Sequence, residues 1–224
     1  MKAIIFDSGV LINLSMNGLL YIIEELKEHF DCKFLITKEV KYETVDRPMG
    51  IERFELGALQ IQNLIDSNVL EMPSSRGIDE EKIRKDTLLF LDKANHFMQV
   101  RGKWVNLVEE AEMSCFALSK ELTERGIDNL IAIDERTARM ICENPQNLER
   151  IMSEKLHQKV NIATEESDIF SKFRFIRSPE LVYAAYKKNL IHLKGKKVLE
   201  AALYATKFKG ASISFEEINK LKSM

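Results

Sequence analysis

The sequence predicts an α/β fold with a mainly parallel central sheet, because short apolar runs alternate with helical segments. Residues 2–6 form a β-favouring apolar run that stops at Asp7, and residues 130–133 form another that stops at Asp134. Each run is followed by a segment with apolar side chains at helical spacing. Strands that alternate with helices indicate parallel β-α-β units with right-handed crossovers.

The first half of the chain carries further signals of regular structure. The predicted helices span residues 19–26, 39–46, 54–65, 79–100 and 108–122. The predicted strands span residues 33–36 and 69–72. Thr37 is a plausible N-cap for the short helix that ends before Pro48. The sequence Ser74-Ser75-Arg76-Gly77 is typical of a loop.

The second half continues the alternation. Predicted helices span residues 137–142, 148–156 and 196–207, and a predicted strand spans residues 159–162. A helix is also expected after Ser178-Pro179, since proline is tolerated at the first helical position. Ser214 stands in capping-box spacing to Glu217, which predicts a last helix.

The domain organisation follows from the absence of internal repeats and low-complexity linkers in the sequence. We therefore expect residues 1–192 to form one domain and residues 193–224 to form a lysine-rich helical extension. Dimerisation through the helix at residues 79–100 is possible, although its apolar stripe would pack equally well on its own domain.

The bulk composition limits the class of protein. The chain has 224 residues, of which 45% are hydrophobic, and this is enough to bury a sizeable core. No apolar run approaches the roughly 20 residues that cross a bilayer, and Asp7 interrupts the N-terminal stretch where a signal peptide would be apolar. We therefore expect a cytoplasmic protein with no membrane partner.

The cysteines and histidines do not suggest a metal or disulfide framework. Cys32, Cys115 and Cys142 are odd in number and far apart, so we expect reduced structural cysteines. The four histidines are scattered, and none has a second ligand at helical spacing. A zinc enzyme is not indicated.

Two acids follow strands at positions where α/β proteins bind ligands. In open α/β sheets the ligand site lies outside the carboxyl ends of the strands, and Asp7 and Asp134 both fall there. Two carboxylates brought together repel each other unless a cation or a shared proton offsets the cost. A hard divalent ion, Mg²⁺ or Mn²⁺, is the natural occupant of such a site.

A third candidate acid, Glu112, lies near the start of the helix at residues 108–122. Glu109 and Glu112 are one turn apart on one face, and only Glu112 is flanked by small residues such as Ala111 and Ser114. That setting suits a carboxylate pointing inward. The alternative is that these acids favour the positive end of the helix dipole, which is typically worth about 0.3 to 1 kcal/mol each.

Glu43 and Glu135 are candidates by position. Glu43 follows the second predicted strand by a few residues, so its helix begins on the same sheet edge as Asp7. Glu135 could act instead of Asp134 or beside it, since sequence does not separate neighbours at a turn. Ser8 is the expected hydroxyl that orients a carboxylate or a water molecule near the metal.

Four acids in this order resemble the PIN-domain family over most of residues 1–192. The segments that carry the resemblance are IIFDSGVLINL with Asp7, LITKEVKYE with Glu43, EEAEMSCFALSKEL with Glu112 and IAIDERTARMI with Asp134. The resemblance implies a three-layer α/β/α sandwich around a mainly parallel sheet. It also implies a metal-dependent ribonuclease acting on single-stranded RNA, with Asp7, Glu112 and Asp134 holding Mg²⁺ or Mn²⁺ and Glu43 completing the catalytic group.

Two departures from the small toxin members of that family are an inserted helix at residues 79–100 and the tail after Leu193. They favour a housekeeping or RNA-processing role, or another role of a different kind, over a toxin role. A non-catalytic PIN-like module for RNA binding or assembly is the alternative, and a third possibility is that the acids are ordinary surface charges.

Competing families fit less well. Haloacid-dehalogenase phosphatases also open with a strand that runs into Asp, but they need a second Asp two residues later, where this chain has Gly9. No GxxxxGK[ST] or GxGxxG motif is present in the sequence, so the usual nucleotide-binding loops are not indicated.

The charge distribution offers an RNA-binding candidate. The formal net charge is −2, but lysines dominate the region from residue 187 to the C-terminus. Lys194, Lys196 and Lys197 cluster at the start of the predicted helix at residues 196–207. We expect them either to bind RNA phosphates beside the acidic pocket or simply to solvate the tail.

Overall fold

The structure, a computed structural model, describes residues 2–162, 169–170 and 172–224. The strands in chain order are β1 (Lys2–Phe6), β2 (Lys33–Leu35), β3 (Met98–Val100), β4 (Lys103–Trp104), β5 (Asp128–Ala132), β6 (Val160–Ile162) and β7 (Phe175–Ile176). The helices in chain order are α1 (Ser8–Met16), α2 (Tyr21–His29), α3 (Lys38–Lys41), α4 (Glu52–Asp66), α5 (Glu80–Asn95), α6 (Glu110–Glu124), α7 (Arg136–Glu143), α8 (Pro145–Leu156), α9 (Ser178–Lys187), α10 (Val198–Phe208) and α11 (Phe215–Ser223).

The central sheet has four parallel strands in the order β2-β1-β5-β7. Ile4 of β1 pairs with Phe34 of β2 on one side and with Leu130 of β5 on the other. Helices flank this sheet, so the predicted α/β class and parallel sheet are confirmed, and the arrangement is consistent with a three-layer sandwich. Because all four strands are parallel, their carboxyl ends lie at one edge.

The core lies between the sheet and its helices. Ile5 and Phe6 of β1 are fully buried, and the Phe6 ring packs 5.2 Å from the ring of Phe34. On α6, Phe116 packs against Phe173, with ring centroids 4.7 Å apart. Each such buried side chain contributes about 1.5 to 3 kcal/mol relative to an exposed one. This packing fixes β1 and α6, the two elements that carry Asp7 and Glu112.

Helix α1 was not predicted, because the first helix expected from the sequence spanned residues 19–26. Its Val10, Leu11, Asn13 and Leu14 are buried, so the helix lacks the polar face that helical periodicity would reveal. Asp7 is its N-cap.

A second, antiparallel sheet in the order β4-β3-β6 was also unpredicted. The helix expected over residues 79–100 was wrong at its end, because α5 stops at Asn95 and the last residues form β3. Arg101 and Gly102, with φ of 52° and 75°, then turn the chain into β4. Two successive positive φ values match the right-handed twist of a hairpin. The strand expected at residues 159–162 is present as β6, but it pairs antiparallel with β3.

The strand expected over residues 69–72 was wrong. Only one parallel bridge forms there, between Leu35 and Glu71, and a 3-10 turn follows at Pro73–Arg76. Since Pro73 follows at once and has no amide hydrogen, continued sheet pairing is disfavoured.

Part of the apolar stripe of α5 packs within the chain. Ile83, Phe90 and Ala94 are buried, and the Phe90 ring lies 6.4 Å from the ring of Phe116 on α6. Leu88, which also belongs to the predicted stripe, is 51% exposed. The chain therefore covers part of the stripe, and a homodimer through this helix stays a prediction.

The C-terminal segment packs on the rest of the fold. Leu203 of α10, Ile213 and Ile218 of α11 are members of the hydrophobic core, and α10 packs against α9. The predicted capping box is confirmed, since the Glu217 amide donates to the Ser214 hydroxyl at 3.1 Å and the Ser214 amide donates to the Glu217 carboxylate at 2.8 Å. Among the described helices, none alone is long and apolar enough to span a bilayer, and the one pair that reaches that composition together, α1 with α2, is bent by 115°.

Candidate active site

The carboxyl edge of the sheet brings Asp7 and Asp134 side by side. Asp7 follows β1 directly, and its amide donates to the carbonyl of Ala132, the last residue of β5, at 2.9 Å. Asp134 lies two residues beyond that carbonyl. The electrostatic effect of Asp134 on Asp7 reflects this proximity, because its negative charge helps to raise the Asp7 pKa.

Asp7 has one oxygen that is bound and one that is not. Asp7 is only 2% exposed and is the N-cap residue of α1. Its Oδ2 accepts a hydrogen bond from the Gly9 amide at 3.0 Å. A Cβ at position 9 would lie 3.1 Å from that oxygen, so glycine leaves room for the close turn. Oδ1 is buried and has no hydrogen-bond partner.

The environment of Asp7 disfavours its charge. Burial raises the pKa of Asp7 most, and the negative charges of Glu43 and Asp134 raise it further, to about 7. The hydrogen bond from Gly9 acts in the opposite direction and lowers the pKa. A positive ion beside Oδ1 would reverse that preference.

Glu112 combines a helix-capping role with a position beside Asp7. Its Oε2 accepts from the Glu109 amide at 2.9 Å in a capping box at the start of α6, so the capping alternative describes part of its role. Burial first, and then the charge of Asp7, raise the Glu112 pKa to about 8. A residue that only capped a helix at the surface would not carry that shift.

Glu43 lies in a π-helical turn at Tyr42–Asp46, and its negative charge helps to raise the Asp7 pKa. It is half-buried, and burial raises its pKa, with Glu109 and Glu110 adding repulsion. The Ser8 hydroxyl forms a hydrogen bond with its carboxylate that partly offsets these effects. Ser8 therefore contacts the acid group, through Glu43.

Asp134 is held by donors on both of its oxygens. Ser178 donates its amide to Oδ1 at 2.8 Å and its hydroxyl to Oδ2 at 2.7 Å. The Asn13 side chain donates to Oδ2 at 2.9 Å. Burial raises the Asp134 pKa, and these three hydrogen bonds oppose the rise. Sequence reasoning missed both partners, since they lie on α1 and α9.

Glu135 is engaged with its own helix. As the N-cap of α7 it accepts from the Ala138 amide at 2.6 Å. Its charge also contributes to the raised pKa of Glu112, so it borders the acid group.

The acidic side chains offer the oxygen ligands that a divalent metal ion prefers, but in the described residues they are not close enough together to coordinate one. Asp7 interacts electrostatically with Glu43, Glu112 and Asp134, and its unpartnered Oδ1 fits a hard cation, which prefers oxygen ligands. Within the residues described, however, no three His, Cys, Asp or Glu side chains form a group that could hold a metal ion as they stand. The residues therefore fit a cation at Asp7 and would need to rearrange to complete its ligands.

The three candidate lysines lie away from these acids. Lys194, Lys196 and Lys197 are exposed and border a groove of about 500 Å³ that includes Asn17, the C-cap of α1. Asp7 caps the opposite end of that nine-residue helix, so about 13 Å separates the two ends at 1.5 Å per residue.

No family model, curated protein or solved structure matches this chain.

Proposed function

We propose that this chain is a PIN-like, divalent-metal-dependent endoribonuclease that hydrolyses phosphodiester bonds of single-stranded RNA. The observation that carries the proposal is the buried, unpartnered Oδ1 of Asp7. A buried carboxylate oxygen without a donor costs free energy, and neighbouring acids increase that cost. A bound cation would offset both costs, because it would interact with the unpartnered oxygen and reduce the repulsion among the acids.

In this proposal Asp7, Glu112 and Asp134 hold Mg²⁺ or Mn²⁺, and Glu43 completes the catalytic group. Bound there, the ion would lower the pKa of a water molecule and stabilise charge on phosphodiester oxygens. The chain's own contribution is placement. Packing of β1 and α6 holds Asp7 and Glu112, and Ser8 positions Glu43 through its hydrogen bond.

The substrate class rests on the resemblance of the four acid-bearing segments to the PIN-domain family. A phosphodiester suits the site chemically, because it needs a metal to be brought beside carboxylates that would otherwise repel it. Single-stranded RNA is the member of that class that the resemblance favours, and a cytoplasmic setting would supply it.

One observation favours the alternative of a non-catalytic RNA-binding or assembly module. Both oxygens of Asp134 already accept hydrogen bonds, from Ser178 and Asn13. An acid used in this way can hold the fold together without ever binding a metal.

Cleavage by matched variants separates the two candidates. Labelled single-stranded RNA is incubated with purified wild type, Asp7→Asn and Glu112→Gln, with Mg²⁺, with Mn²⁺ and with EDTA. The proposal expects metal-dependent cleavage by the wild type and at least a 100-fold loss in both variants, since each loses a charged ligand. Glu55→Gln is the control, because Glu55 is exposed on α4. Cleavage that persists in Asp7→Asn, or that is absent in the wild type with either ion, contradicts the nuclease assignment.

A further inference from the structure

A second polar cavity, of about 640 Å³, lies beside the acid group and is lined by cations. Arg136 and Arg139 reach it from α7, Arg177 from the end of β7 and Lys207 from α10. We call it the basic pocket. None of these four residues was selected from the sequence, because each lies in a segment of mixed charge.

Arg139 is the most unusual of the four. The residue is only 9% exposed, yet its Nε is buried without a hydrogen-bond partner. Its Nη2 donates to the Ser212 carbonyl at 3.3 Å, and its Nη1 lies 3.6 Å from the Glu143 carboxylate. A buried guanidinium normally has its charge and its donors satisfied, so Arg139 has capacity left for an anion.

The Arg177 guanidinium donates to the same Ser212 carbonyl as Arg139 does. Its Nη1 donates to Ser212 at 2.8 Å, and its Nη2 lies 2.9 Å from the Glu217 carboxylate, with Glu180 also pairing to it. Burial and the neighbouring Arg177 lower the Arg139 pKa, which shows that the two cations feel each other.

The charge balance of the basic pocket is positive. Its lining contains four cations and two carboxylates, Glu143 and Glu217, and a third carboxylate, Glu180, pairs with Arg177, so the cations exceed the carboxylates by one. Arg136 is exposed at its mouth, and Lys207 is directed to the Ile213 carbonyl with its ammonium 4.5 Å from the ring of Phe215. An anion is therefore the ligand that this lining favours.

The position of the basic pocket links it to the acid group. Ser212, whose carbonyl accepts from both Arg139 and Arg177, donates its own amide to the Asp134 carbonyl at 3.2 Å. Arg177 follows β7 as Asp134 follows β5, so the carboxyl edge of the sheet runs from acids to arginines.

We infer that the basic pocket binds a backbone phosphate of the RNA strand whose cleavage is proposed above, and this inference rests on that proposed function. Arginine forks match phosphate oxygens in geometry and charge, and the pocket adjoins the acid group through the hydrogen bond from Ser212 to Asp134. The shared chemistry of its ligand is a phosphate group. A strand end or free phosphate offers the same group, so the source is part of the test.

The test measures binding without cleavage. Fluorescence anisotropy in EDTA compares wild type, Arg136→Gln and Arg139→Lys on single-stranded RNA oligonucleotides with 5′-hydroxyl or 5′-phosphate ends. Inorganic phosphate is added as a competitor. Arg136→Gln, at an exposed site, keeps the test informative where Arg139→Lys fails to fold. Arg84→Gln, exposed on α5, is the matched control.

The inference expects both pocket variants to bind either oligonucleotide about tenfold more weakly. Arg136→Gln removes a charge, so the slope of log affinity against log salt should also fall by nearly 1, whereas Arg139→Lys loses the guanidinium fork but keeps its charge and should keep the slope. Arg84→Gln should bind as the wild type does. Equal affinity of all variants overturns the inference, and so does an effect confined to 5′-phosphate ends or to inorganic phosphate. Failure of the nuclease proposal looks different, because RNA would then bind through the pocket but remain uncleaved with metal.

Discussion

Ser178 donates two hydrogen bonds to Asp134, one from its amide to Oδ1 and one from its hydroxyl to Oδ2. Asn13 donates a third hydrogen bond to Asp134. These three bonds connect the loop after β5 to the start of α9 and to α1. Asp7 contrasts with it, since its Oδ1 has no partner. The two acids follow neighbouring strands at one sheet edge, but both oxygens of Asp134 accept hydrogen bonds, whereas Oδ1 of Asp7 accepts none.

The hydroxyl of Ser178 should therefore contribute measurably to stability. In Ser178→Ala the buried Asp134 carboxylate loses one donor, and we expect the free energy of unfolding to fall by roughly 1.5 to 3 kcal/mol, as for a hydrogen bond to a charged group. Urea unfolding followed by circular dichroism measures it. Ser75→Ala is the control, because the Ser75 hydroxyl is exposed and donates only to the Met72 carbonyl. Equal losses in both variants would contradict the assignment.

Asp7→Asn should have the opposite effect in metal-free protein. Asparagine keeps the N-cap of α1, since its carbonyl can accept from Gly9, and its amide supplies a donor beside Glu43 and Glu112. We expect the metal-free variant to be more stable by roughly 1 to 3 kcal/mol, because an unpartnered buried acceptor is removed. Thermal unfolding in EDTA measures this. A less stable Asp7→Asn would show that the carboxylate serves the fold.

The same acids predict how stability depends on pH. Asp7 has a pKa of about 7 in the folded state against 3.8 for the free group, and Glu112 about 8 against 4.5. Between these values the folded state binds protons that the unfolded state has released, so metal-free stability should fall as pH rises from about 5 to 8. Urea midpoints at pH 5.5 and pH 8 in EDTA check the sign.

The pH dependence has an internal control. Asp7→Asn removes one of the two titrations, so its midpoint should change less between pH 5.5 and pH 8 than that of the wild type. A wild-type midpoint that is equal or higher at pH 8 would show that these carboxylates are ionised at little cost in the folded protein.

The positions of Asp7 and Asp134 at the carboxyl edge of the central sheet could be predicted from the sequence. Each ends a short apolar run, and parallel strands share a carboxyl edge, so both acids could be placed there from local pattern alone. Their partners could not. Ser178 lies 44 residues from Asp134 and Asn13 lies 121 residues away, and only the packing of α1 and α9 brings them together.

Two other features were hidden for physical reasons. Helix α1 has apolar residues on its exposed side as well, Ile12 and Met16, so its sequence shows no helical period. The strands β3 and β4 are too short for a period of two to stand out. Arg139 lies on an amphipathic helix whose pattern places it no differently from Arg136. Its burial depends on Ser212, which lies 73 residues further along the chain.

The exposed lysines of the C-terminal segment give the last prediction. Lys194, Lys196 and Lys197 precede α10, where cations oppose the helix dipole and bring no evident benefit to folding. If they contact RNA, reversing Lys196 and Lys197 to Glu should weaken binding to every sequence and reduce the slope of log affinity against log salt by nearly 1 for each lost contact. Anisotropy over a salt series measures both quantities. The groove beside these lysines lies at the far end of α1 from Asp7. An unchanged salt slope would show that the lysines only solvate the tail.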